Sequence, residues 1–130
     1  MYTYPTISVP KLHQEYRTWI NELNFYKDEI DVYEKQLEEL INKNTKQAVT
    51  AQVEHFQNRF IREKEVIDHL KHDLNISEKH LTAFVQRMSG MGLSSIKMDN
   101  HVKLREQMQV FRDIFKDLKN SFHRFESEWM

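Results

Sequence analysis

Three ladders of side chains, spaced alternately three and four residues apart, run through nearly the whole chain. The first is Leu12, Tyr16, Trp19, Leu23, Tyr26, Ile30, Tyr33, Leu37 and Leu40. The second runs Val49, Val53, Phe56, Phe60, Glu63, Ile67, Leu70, Leu74, Ser77, Leu81, Phe84 and Met88, and the third Leu104, Met108, Phe111, Phe115, Leu118, Phe122, Phe125 and Trp129. This spacing puts each set on one stripe of an α-helix, and its heptad period is that of helices wrapped around one another. Only Glu63 and Ser77 break the apolar character. The chain therefore reads as all-α: three long antiparallel helices in a coiled-coil-like bundle, one domain over residues 1–130.

The helices are expected at about residues 9–43, 46–88 and 99–129. Ser8 is a suitable cap before Val9-Pro10, because a proline in the first turn lacks only an N–H that has no helical partner there. The first turn between helices is read from phase. Continuing the first ladder would bring Asn44, Gln47 and Ala51 into the seam, whereas the stripe restarts on Val49 and Val53. Ser89-Gly90-Met91-Gly92-Leu93-Ser94-Ser95 holds both glycines and reads as a loop, with Asp99 a cap for the third helix. A break in the second helix near Asn75-Ile76-Ser77 is the alternative, giving a four-helix bundle. The unbroken register from Val49 to Met88 favours one helix.

Composition is polar, with 39% hydrophobic and 30% charged residues and a mean hydropathy of −0.75. Eight Phe, five Tyr and two Trp nevertheless argue for a packed interior. Absence of cysteine excludes disulfides and thiolate metal sites. No stretch is long and apolar enough for a membrane span, and the start lacks the marks of a secretion signal, so a cytoplasmic location is expected. Nineteen basic against twenty acidic residues leave a net charge of −1, which attracts neither nucleic acid nor acidic lipid.

Glu63 is the most anomalous residue: a carboxylate in a buried stripe must be paired, hydrogen-bonded or protonated. Counting from the connections places it near Ile30, between Tyr26 and Tyr33, and near Phe125. A tyrosine hydroxyl, Arg124 or an escape to water are the expected solutions. Ser77 reads as a gap filled by its neighbours. The second helix also carries Glu65, Asp68, His69 and His72, whose spacings of three and four suit metal ligands. They lie away from the seam, without the inward Glu-x-x-His pairs of a di-iron bundle, so a solvated face is expected and no metal or cofactor. His101 can cap or pack at the start of the third helix, while His13, His80 and His123 lie off the seams. Arg105, Arg112, Lys116 and Lys119 share one side of that helix but are interleaved with Glu106, Asp113 and Asp117, which speaks against a nucleic-acid stripe. No nucleophile–base arrangement and no phosphate loop is readable, so no enzyme is expected.

Apolar residues outside the seams say more. Thr18, Phe25 and Val32 repeat every seven on the first helix. Ile61 and Ile76 flank the polar face of the second, and Val110 and Ile114 lie beside the third seam. Phe25, Val32, Ile61 and Ile76 are the expected interaction surface, toward a second copy or another helical protein.

The run Glu54-His55-Phe56-Gln57-Asn58-Arg59-Phe60, with Leu70-Lys71-His72-Asp73 and the terminal Trp129-Met130, resembles a group of small bacterial helical-bundle proteins of unknown function. The resemblance implies a bacterial, cytoplasmic helical protein and transfers no functional residue. The expected function is a non-enzymatic interaction or assembly module. The alternative is a metal- or small-ligand-binding bundle using the histidine and carboxylate face of the second helix.

Overall fold

The computed structural model of the chain describes residues 6–43, 47–87, 95–97 and 99–129. Its order is β1 (Thr6–Ser8), α1 (Val9–Lys43), α2 (Gln47–Arg87), β2 (Ser95–Lys97) and α3 (Asp99–Trp129). The three long helices form the bundle expected from the ladders. α2 runs without interruption through Asn75, Ile76 and Ser77, which rules out the four-helix alternative. At 41 residues it is about 60 Å long. The expected turn at 44–46 and residues 89–94 of the expected loop lie outside the described residues, while Ser95, the last residue of that loop, opens β2 instead.

The sequence pattern gave no sign of β1 and β2, which pair antiparallel with Ile7 opposite Ile96. This short ladder joins the segment leading into α1 to the one leading into α3. α1 and α3 both run against α2 and are therefore parallel, so they begin at the same end of the molecule.

The ladders are the core. Leu12 to Leu40 on α1, Val49 to Leu81 on α2 and Leu104 to Phe125 on α3 are almost all buried, with Tyr26 and Trp129 packed against them. Aromatic rings stack in tiers along the α1–α3 side. Trp19 lies on His101 at 5.1 Å, Tyr26 meets Phe115 at 4.7 Å, and Tyr33 meets Phe122 at 5.2 Å. Phe56 and Phe60 of α2 close the last tier on Phe122. Such contacts favour one axial register, because sliding a helix by a turn would separate several ring pairs at once.

A row of charges holds the same register. Glu15, Glu22 and Glu29 of α1 meet Arg105, Arg112 and Lys119 of α3, one heptad apart on each helix. The Glu22–Arg112 contact is bidentate, with Nε at 2.6 Å and Nη2 at 2.9 Å. Three of the four cations read along one side of α3 are thus matched by carboxylates of the chain itself. On the α1–α2 side, Lys27 pairs with Asp68, Lys64 with Asp31 and Glu34, and Arg17 with Glu78. Among the described residues, every cross-helix ion pair has one member on α1.

Candidate functional site: the groove between α2 and α3

The charged fasteners lie on the two sides that involve α1, and among the described residues no ion pair bridges α2 and α3. A groove of about 720 Å3 runs between α2 and α3, lined on α2 from Arg62 to Asp73 and on α3 from Lys103 to Ile114. Its walls are Val66, Leu70, Phe111, Val110 and Ile114. Val110 is 56% and Ile114 40% exposed, so these two residues do not widen the core but form an open apolar edge. Further along the same side, a second opening of about 590 Å3 lies between Ala51, His55 and Phe56 of α2 and Ser121, Arg124 and Phe125 of α3.

Glu63 lines the larger groove. It is 4% exposed and makes no hydrogen bond to another described residue. None of the expected partners reaches it. The Tyr26 and Tyr33 hydroxyls donate instead to Glu22 at 2.9 Å and Glu29 at 2.6 Å, one turn back on their own helix. Arg124 donates to Ser121 and lines the second opening, so the height assigned from the connections was too near the end of α3. What exposure the residue keeps is to the groove that it lines. Burial pushes the Glu63 carboxyl pKa up, against the opposing charges of Arg59 and Arg62.

The four polar candidates on α2 diverge. Asp68 pairs with Lys27 at 2.8 Å on the α1 side, His69 lines the α2–α3 groove, and His72 lies beside Arg17 and Glu78. Glu65 is exposed. Among the described residues, no three His, Cys, Asp or Glu side chains are grouped to hold a metal ion. No described helix is long and apolar enough to cross a membrane.

Phe25, Val32, Ile61 and Ile76 are all exposed, Phe25 the most at 66%. They do not make one surface. Phe25 and Val32 stand three residues after Glu22 and Glu29, beside the ion-pair row facing α3. Ile61 stands three residues before Lys64, on the side of α2 that faces α1. Ile76 stands three residues after Asp73, beyond the last α2 residue of the groove. None of the four lines the groove with Val110 and Ile114.

A second polar cluster went unrecognised in the sequence. His101 is 2% exposed, stacked on Trp19 and 3.1 Å from Glu15 through Nε2. Its Nδ1 is buried without a partner. Nε2 also lies 3.0 Å from Arg105 Nη2, so it donates to Glu15 in one tautomer and accepts from Arg105 in the other. Burial holds the imidazole pKa down, with the Arg105 charge acting the same way and Glu15 opposing. The signal was available: His101 lies one heptad before Met108 and continues the third ladder. Ser77 is likewise more than a gap, since it opposes the rise in the Tyr16 hydroxyl pKa that burial causes. Both groups pack inside the bundle, which leaves the α2–α3 groove as the candidate site.

Comparison with protein-family models, curated proteins and solved structures finds no match to this chain.

Proposed function

We propose that the chain is a non-enzymatic assembly module that forms a homodimer by setting its α2–α3 edge against the same edge of a second copy. The observation that carries this reading is the open groove, with Val110 and Ile114 exposed beside a buried carboxylate that lacks a hydrogen bond. A groove between two antiparallel helices has the shape that a further helix fills in larger bundles.

Charge selects the occupant. Arg62 marks one end of the α2 wall and Asp73 the other. A second α2, laid antiparallel and centred between Val66 and His69, brings each Arg62 against Asp73 of the second copy. The pairing occurs twice, as a two-fold contact requires. Lys103 and Glu106 on the α3 wall keep the rim mixed in sign, so two copies do not repel. Helices of 41 and 31 residues offer ample length for the roughly 1,200–2,000 Å2 of a stable interface.

Light scattering at micromolar concentration tests the proposal. The expected results are a dimer for the wild type, a monomer of unchanged helicity for Val110→Glu/Ile114→Glu, and a dimer for Phe25→Glu/Val32→Glu. A wild-type monomer refutes self-association. A dimer broken only by the Phe25 and Val32 substitutions moves the interface to the α1–α3 side.

A further inference from the structure

We propose that closing the α2–α3 groove against a second copy is coupled to proton uptake by Glu63, so that the pair forms more tightly in mildly acidic than in neutral solution. This rests on the assembly reading above and adds a control to the same surface.

The inference starts from where Glu63 sits. Its carboxylate lines the apolar groove beside Val66 and Leu70, almost fully buried, with no hydrogen-bond donor from the rest of the described chain. Two things favour its ionised form in the free chain: a residual opening to water through the groove, and the charges of Arg59 and Arg62. Assembly weakens both. A second copy seated on Val110 and Ile114 excludes the remaining water. The antiparallel register draws Arg62 toward Asp73 of that copy. What remains is a carboxyl group among apolar side chains, where the neutral acid is the stable form. The balance is simple: one proton leaves solvent for a Glu63 oxygen in each copy, two per dimer, and no other bond changes.

Glu63 is not the only charged group on the groove. On α2 they are Arg59, Arg62, His69 and Asp73, and on α3 Lys103 and Glu106. The α1 charges nearest this stretch of α2, Lys27, Asp31 and Glu34, are paired on the opposite flank with Asp68 and Lys64. Asp73 meets a cation on assembly, and His69 and Glu106 share the groove with Glu63, so the Glu63 and His69 variants assign any strengthening on acidification to its group.

The experiment is sedimentation equilibrium of the full chain across about pH 5 to 8, for the wild type, Glu63→Gln, Glu63→Leu and His69→Gln. For the wild type, Kd is expected to rise with pH, by at most about 100-fold per unit because two protons are linked to one dimer. Glu63→Gln and Glu63→Leu should remain dimeric with that rise abolished, and His69→Gln should retain it. A wild-type Kd that is flat or falls with pH overturns the proton coupling and leaves the assembly reading standing. So does a rise that survives in both Glu63 variants. A wild type that stays monomeric at every pH removes the assembly reading and the coupling together.

Discussion

Replacing Glu63 with leucine should stabilise the protein, and the size of the gain follows from its surroundings. The residue stands at a seam position of α2, is 4% exposed, and has neither a hydrogen bond nor a contact ion pair among the described residues. Keeping such a group in place of an apolar one costs about 1–3 kcal/mol, and hydrophobic replacements of buried charges recover a similar amount. Leucine fits the site, since Ile67, Leu70 and Leu74 continue the same stripe. For 130 residues this corresponds to a rise in Tm of roughly 3–12 °C. The sign with pH is fixed as well. The carboxyl pKa is raised above its ordinary 4.5 in the folded chain, so the folded state holds the proton more tightly than the unfolded one. The penalty is full above the folded pKa, shrinks as pH falls through it, and is gone below 4.5. The advantage of Glu63→Leu should therefore be largest at neutral pH and diminish in acid. Thermal melts followed by circular dichroism, at fixed protein concentration because assembly also shifts Tm, measure both effects. A variant that melts lower than the wild type at neutral pH would refute the reasoning, since it would mean that Glu63 accepts hydrogen bonds whose loss outweighs the relief.

Two further predictions concern the α1–α3 side. Arg112→Met should cost about 1–2 kcal/mol in urea unfolding, because it leaves the half-buried Glu22 with only the Tyr26 hydroxyl. The Arg112 hydrogen bond holds the Glu22 pKa below 4.5, so the gap between variant and wild type should close as pH falls from 4.5 through that lowered pKa; a gap independent of pH would reject the assignment. His101→Phe should keep the stack on Trp19 and gain stability relative to the wild type as pH drops below 6.5. The buried imidazole, its pKa held below that value, contributes stability present above 6.5 and lost as pH falls through the folded pKa, and phenylalanine has no such loss. Parallel unfolding curves at about pH 7 and 5 decide it, and an unchanged difference would place the acid sensitivity elsewhere.

The sequence carried the helices more clearly than the contacts between them. A heptad ladder determines which face of each helix is buried, so Leu12 to Leu40 and Leu104 to Phe125 could be named as core from spacing alone. It also separated α1 from α2, because a change of phase on Val49 is visible even without a glycine or proline. β1 and β2 are three residues each, too short for an alternation to register. Heights across helices were less legible, since an error of a few residues at each turn accumulates along a 41-residue helix. The height of Glu63 on α1, between Tyr26 and Tyr33, agrees with the Tyr33–Phe60 and Lys64–Asp31 contacts, whereas Phe125 lies too far along α3. The Glu15, Glu22 and Glu29 row was hidden for a related reason. Its spacing is in the sequence, but its meaning depends on α1 and α3 being parallel and facing along that flank. Val110 and Ile114 show the same limit: apolar residues beside a seam read equally well as a wider core or an open edge, and only the packing of α2 on α3 distinguishes the two.

The central claim is that α2 meets α2 of a second copy antiparallel across the groove. Because the chain has no cysteine, single substitutions can be cross-linked without background. With helix axes about 8–10 Å apart, a short bismaleimide reaches between facing positions but not between the two ends of the groove. Arg62→Cys and Asp73→Cys should each give little cross-linked dimer alone, since position 62 then faces position 73. Their mixture should give the cross-linked heterodimer in high yield. Efficient cross-linking of either variant with itself, or none from the mixture while the protein remains dimeric, would contradict the arrangement.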